Sequence, residues 1–183
     1  VMACIIGYYF LYLRHRLHYR YNMEQVFVVN KALLAVSRAE GRDDFAARLL
    51  NCLYTELNEL LPVDDLSLAI SDEGPLKYYT YQQKPTDDVL TERMQRCFER
   101  KEKHWDGVGK WSLFPLTVEL GGEQYCSGVL ALKVAQPYNN EENKLLVELA
   151  ISYLSVVLYN TVVRVRQKYA DIELMQDEAR RTL

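Results

Sequence analysis

Glycine and proline are scarce in this chain: 8 and 5 residues of 183, about 7% together against the roughly 12% of an average protein. So few breakers favour long helices and exclude a collagen-like chain. Cysteine is sparse too. Cys4, Cys52, Cys97 and Cys126 are far apart and form no CxxC pair. That excludes a disulfide framework and a zinc ribbon, and it fits a reducing compartment. The three histidines, His15, His18 and His104, share no ligand spacing with cysteines or carboxylates. No metal site is expected. There is no excess of positive charge, the net value being −3 with a pI near 5.7. No basic stripe exists outside one short segment, so nucleic acid is not an expected partner. GxSxG, HExxH and a glycine-rich phosphate loop are all missing, and Gly107-Val108-Gly109 is too short to cradle phosphate. What is present is ordinary for a folded domain: 49% hydrophobic and 26% charged residues. The length suits one domain.

Val1–Leu13 (VMACIIGYYFLYL) contains no charge, and its tyrosines stand near the end. Thirteen residues are too few to cross a bilayer, which takes about 20. Arg14, Arg16 and Arg20 follow, and no acid appears before Glu24. Apolar residues, then tyrosines, then arginines is the order in which a transmembrane helix leaves the bilayer on its cytoplasmic side. A signal peptide carries its positive charge before the apolar run. Residues 1–21 are therefore expected to be the end of a transmembrane helix cut by the start of the chain, with its basic juxtamembrane segment. The alternative, a buried helix of a soluble domain, leaves the arginine cluster unexplained.

The middle of the chain alternates between two periodicities. Asn22–Arg38 has helical spacing at Val26, Val29, Leu33 and Val36. A second helix is expected over Asp44–Leu61 after an Asp43 cap, ending at Pro62. Asp65–Ser71 and Leu76–Gln82 alternate as strands around an Asp-Glu-Gly-Pro turn, which predicts a hairpin. A third helix is expected over Thr86–Lys103, then a loop, His104–Lys110. Trp111–Glu119 reads as a strand at a sheet edge or with a bulge, because Pro115 interrupts it. Tyr125–Ala135 is apolar on both faces and reads as a central strand. The last helix begins near Asn139. Along it a 4-3 spacing runs through Leu158, Val162, Val165, Tyr169, Ile172, Ala179 and Leu183, interrupted by the polar Ser155 and Gln176. A seam of that length asks for a partner helix, and the mixed charges beside it suit a coiled coil. The order predicts an α+β domain, an antiparallel sheet with helices on at least one face.

Phe114-Pro115-Leu116, Gly121-Gly122, Gly128-Val129-Leu130-Ala131-Leu132, Tyr138-Asn139 and Lys144-Leu145-Leu146-Val147-Glu148-Leu149-Ala150 follow one another in this order. The series resembles the GAF family of small sensory domains, and so does the order of elements from Glu24 to Arg166. The resemblance implies a GAF-like domain over residues 22–166, flanked by a long N-terminal helix and by an outgoing coiled-coil helix, 167–183. A GAF domain between a membrane helix and a coiled coil looks like the relay segment of a bacterial membrane-anchored sensor histidine kinase. That context implies a homodimer joined along Val26, Val29, Leu33 and Val36 and along the C-terminal seam. It also implies a place at the cytoplasmic side of the inner membrane, a kinase domain later in the same chain, and a response regulator beyond it. The alternative is a small-molecule-binding sensor of a cyclase, a phosphodiesterase or a transcription regulator. This stretch has no phosphoacceptor histidine motif and no ATP-binding pattern, so it is not itself expected to be an enzyme.

Many GAF domains hold a ligand between the sheet and the third helix. Carried over by position, that implies a pocket of Tyr79, Tyr81, Cys97, Phe98, Trp105, Trp111 and Phe114. The same side chains also read as ordinary core aromatics. No cofactor is expected. Cys97 lacks the following histidine of bilin-binding relatives, the NKxxxFxxxDE pattern of cyclic-nucleotide relatives is missing, and His104 follows a charged run, Glu99–Lys103, that suits a solvated side chain better than a haem ligand.

Overall fold

The computed structural model describes residues 45–60, 62–71, 74–85, 87–135, 144–145 and 147–161. Val26, Val29, Leu33, Val36, Val162, Val165, Tyr169, Ile172, Ala179 and Leu183 lie outside them, as do Arg14, Arg16, Arg20 and the apolar start of the chain.

Four strands, β1 (Val63–Ile70), β2 (Lys77–Thr80), β3 (Trp111–Leu120) and β4 (Glu123–Val134), form one antiparallel sheet in the order β2-β1-β4-β3. β4 pairs with both β1 and β3, as its two apolar faces require. β3 is an edge strand, and it carries Pro115, whose missing N–H a central strand would not tolerate. One residue beyond Pro115 the register shifts between Leu116 and Thr117, so the expected edge and the expected bulge both occur.

Alternation along the strands sorts the side chains onto two unlike faces. One face carries Leu66, Leu68, Phe114, Leu116, Leu130 and Leu132, all nearly inaccessible. Among the described residues it is covered by two helices: α1 (Phe45–Leu60), through Leu49, Leu50, Leu53 and Leu57, and α3 (residues 147–161), through Val147, Ala150, Leu154, Val157 and Leu158. The other face is built from smaller residues, Ala69, Val129 and Ala131, with Leu113 beside them. Among the described residues one helix, α2 (Asp88–Arg100), covers it with Leu90, Met94 and Cys97. Large side chains fill the space beneath a pair of helices. Small ones let a single helix lie close.

Gly128 marks the tightest approach within the sheet. A Cβ there would stand 2.1 Å from the Ala69 carbonyl oxygen, so only glycine lets β1 and β4 meet at this register. The ends of α1 and β4 are tied to β1. The Asn58 side chain accepts the Val63 N–H at 3.0 Å, and the Ala135 N–H donates to the Pro62 carbonyl at 3.0 Å.

Two elements are shorter than their patterns predict. β2 stops at Thr80, and the chain enters a single 3-10 turn, Tyr81–Gln83, in which Gln82 has φ 58°. Tyr81 there stacks on Tyr54 of α1, with ring centroids 3.9 Å apart. α2 ends at Arg100 rather than Lys103, because Lys101 turns left-handed (φ 57°) and its N–H caps the Cys97 carbonyl. No glycine announces that stop. It is held instead by the Lys101 ammonium, which donates to the Gln124 carbonyl on β4 at 2.6 Å.

Candidate functional site

α2 and the loop after it, residues 101–110, form the region where the family resemblance puts a ligand. The helix starts at Asp87, whose carboxylate accepts the Val89 N–H at 3.1 Å, and Asp88 lies in the first turn, where the helix dipole favours an acid. Its inner stripe, Leu90, Met94 and Cys97, has helical spacing and faces the small residues of the sheet. Met94 is fully buried, and its sulfur is 3.9 Å from the Ser67 hydroxyl, which donates to the Tyr79 carbonyl at 3.0 Å. The polar atom that Ser67 brings into this interface is thereby satisfied.

The loop is held against the sheet edge. His104 and Leu113 exchange both backbone hydrogen bonds, at 2.8 and 2.7 Å, which adds a one-residue bridge outside β3. The Arg93 guanidinium reaches from α2 to the Asp106 carboxylate at 3.0 Å and to the Trp111 carbonyl at 3.2 Å. The Ser112 hydroxyl accepts the Asp106 N–H at 2.9 Å and donates to the Asp106 carbonyl at 3.3 Å. Trp105 meets Phe114 edge-on, centroids 4.7 Å apart. The Gly109 N–H, in a left-handed residue (φ 69°), donates to the Val134 carbonyl at 3.0 Å. Helix, loop and strand edge are thus joined by groups that already have partners. Arg93, Asp106 and Ser112 were not evident as a unit in the sequence. The hint was an arginine directly before Met94 on the inner stripe, followed later by an acid in a glycine-containing loop.

The seven aromatic and thiol residues assigned to a pocket are divided by the sheet. Tyr79, Tyr81, Trp105 and Phe114 pack with the leucine face, under α1 and α3. Cys97, Phe98 and Trp111 pack with the α2 face. The cause is the period of two: Trp111 and Phe114 are an odd number of residues apart on β3, so they point to opposite sides. Leu158, placed in the C-terminal seam by spacing, is 1% exposed and belongs to the domain's own core.

Burial disfavours the thiolate form of Cys97 and Cys126. Burial pushes the Cys97 thiol up to about 12, and neighbouring Cys126 and Glu102 act in the same direction. It donates to the Glu102 carbonyl at 3.2 Å. Burial also raises Cys126, against the opposing influence of its hydrogen bond to Gly128 and of Lys101. His104 is 61% exposed on its side chain and 3.7 Å from Asp106, a surface contact. Among the described residues no three His, Cys, Asp or Glu side chains gather around a possible metal position, and no helix is long and apolar enough to cross a membrane.

No protein-family model matches the sequence. No curated protein matches it either. Solved structures do. The GAF domain of the potassium sensor histidine kinase KdpD from Escherichia coli is 19% identical, with a TM-score of 0.50 over 81% of this chain and 97% of that one. The GAF domain of an Acinetobacter phosphoenolpyruvate-protein phosphotransferase is 14% identical, with a TM-score of 0.49 over 75% of this chain and 93% of that one. The reduced form of fRMsr from Staphylococcus aureus is 13% identical, with a TM-score of 0.46 over 73% and 94%. The chain therefore has the GAF-like α+β fold, a four-stranded antiparallel sheet between helices.

Proposed function

We propose that this chain is a signal-relay and dimerisation module of a membrane-anchored sensor histidine kinase. It passes a change of helix packing from the membrane segment 1–21, through the sheet, to the C-terminal segment 167–183 and a kinase domain later in the chain. The observation that carries this reading is the position of α3. Its inner stripe, from Val147 to Leu158, is part of the same leucine core as the sheet and α1. In the sequence the same spacing continues through Val162, Val165, Tyr169 and Ile172. A core-facing stripe whose spacing continues in the sequence beyond the described helix is suited to couple a shift of the sheet to whatever follows. Support for the kinase context comes from KdpD, whose GAF domain has a similar fold, and from the order of apolar, tyrosine and arginine residues at Val1–Arg20. The protein would act as a homodimer at the inner membrane, with this domain on the cytoplasmic side and a response regulator receiving the phosphoryl group.

Two packings close in energy are the physical requirement. The test is disulfide crosslinking of single cysteines placed along Ile172–Leu183 in the full-length protein, in membranes, with autophosphorylation measured in parallel. The expected result is an intersubunit crosslink whose position dependence follows the helical repeat and shifts between high and low kinase activity. Absence of any intersubunit crosslink in every activity state overturns the relay.

A further inference from the structure

α2 and α3 lie on opposite faces of the sheet, and the loop after α2 reaches both of them around the β3 edge. Its first ties are to α2. The Lys101 N–H caps the Cys97 carbonyl, and the Glu102 carbonyl accepts the Cys97 thiol at 3.2 Å. The next residue crosses over. The Lys103 ammonium pairs with the carboxylate of Glu148, at the start of α3 and 45 residues away. His104 is then fixed to Leu113 by both backbone bonds, and Trp105 packs with the leucine core against Phe114. Asp106 turns back to α2 through Arg93. Six consecutive residues thus hold two helices and the edge strand between them. Protection of the β3 edge does not require the Lys103 contact, because the His104 bridge and the missing N–H of Pro115 already blunt that edge. Stability does not require it either. The two side chains are 57% and 40% exposed, and an ion pair that wet contributes little.

We infer that residues 101–106 are a strap that couples the α2 side of the sheet to α3, with Lys103–Glu148 as the clasp that opens. The inference rests on the relay reading above and names the route by which the far side of the sheet acts on the outgoing helix. Lys101 and Glu102 are bonded to the last turn of α2, so a movement of that turn carries Lys103 with it. Closed, the clasp holds the start of α3 toward the β3 edge. Open, it leaves α3 to its apolar stripe of Val147, Ala150, Leu154 and Leu158, a contact along which packed helices slide. Glu148 lies at one end of a helix described as far as Thr161, about 20 Å further on. A tilt or slide imposed there is therefore delivered to the end that leads toward the C-terminal segment. Solvent exposure sets the size of the effect. Such a pair biases an equilibrium by no more than about fivefold, which keeps both arrangements populated, as a switch requires.

The test compares Lys103→Glu, Glu148→Lys and the double exchange, which restores the pair with its charges reversed. In the 183-residue chain, hydrogen exchange at the Ile151 and Ser152 amides is expected to quicken about two- to fivefold in either single variant. It is expected to return to the wild-type rate in the double exchange, with α1 unchanged throughout. In the full-length protein in membranes, each single variant is expected to shift the crosslinking pattern of cysteines along Ile172–Leu183 and to change autophosphorylation about twofold or more, and the double exchange to restore both. Faster exchange in α3 with wild-type crosslinks and phosphorylation makes the strap a brace that carries no signal. That result overturns the inference and leaves the relay reading standing. Wild-type exchange rates in both single variants, or a double exchange that restores nothing, overturn it as well. Absence of any intersubunit crosslink in every chain overturns the relay reading and the inference together.

Discussion

Gly128→Ala is expected to be among the most damaging single-methyl changes available to this fold. The added Cβ would meet three backbone atoms of β1: the Ala69 oxygen at 2.1 Å, the Ala69 carbon at 3.2 Å and the Ile70 Cα at 3.3 Å. None is the end of a flexible side chain. Relief needs β1 and β4 to separate by roughly 1 Å, since carbon–oxygen contacts below about 3 Å are repulsive. β1 is hydrogen-bonded here on both sides, to β2 and to β4, and the Ser71 N–H to Ser127 carbonyl bond of 3.0 Å is adjacent. Stretching one or two such bonds beyond useful length costs about 0.5–1.5 kcal/mol each. Overpacking adds about 1–3 kcal/mol. The sum is about 1.5–6 kcal/mol, a large part of a small domain's stability. Urea unfolding followed by tryptophan fluorescence measures it. Gly107→Ala is the control, because nothing lies within 4 Å of its Cβ position and its φ is not positive. A Gly128→Ala chain within about 0.5 kcal/mol of wild type, the range of ordinary surface changes, would refute the claim that close strand approach is what demands glycine there.

Cys97 sets a pH dependence. Its proton is held tighter in the folded state, up to about 12 against 9.0 for the ordinary thiol. Below pH 9 both states keep the proton, and stability does not depend on it. Between pH 9 and 12 the unfolded chain releases the proton first, so folding stability is expected to fall through that window. Urea midpoints of the wild type and of Cys97→Ala across pH 8 to 11 measure this, and equal slopes would refute it. Arg93→Ala removes both the Asp106 ion pair and the bond to the Trp111 carbonyl. The partly exposed pair limits the cost to about 1–2 kcal/mol. The expected signature is local: faster hydrogen exchange at the amides of His104 and Asp106, with α1 unchanged. Loss spread evenly over the domain would contradict a role confined to the loop.

The structure departs from the sequence reading where a contact between distant residues outweighs local pattern. Nothing local in Glu99-Arg100-Lys101-Glu102-Lys103 stops a helix, yet Lys101 turns left-handed, and its ammonium reaches a carbonyl 23 residues away. Leu76–Gln82 alternates well enough for a longer strand, but Tyr81 is drawn out to stack on Tyr54. The division of the seven aromatic and thiol residues between two faces was in principle readable for Trp111 and Phe114, which stand on one strand. For Cys97 and Trp105 it was not, because a helix and a loop can be laid on either side of a sheet.

Periodicity and punctuation in the sequence determined that there would be four strands, that β4 would be central, that β3 would lie at an edge near a bulge, and that the class would be α+β. Each of these follows from bonds and side chains within a few residues: a missing N–H at Pro115, apolar residues on both sides of β4, an Asp-Glu-Gly-Pro turn. Only the tertiary structure decided which helix covers which face, that Leu158 belongs to the core, and that Tyr153 and Val156 are left outside it. The reason is that an α-helix apolar on opposite sides has no local property that says which side meets its own sheet. That choice is made by the volumes of side chains brought from elsewhere in the chain.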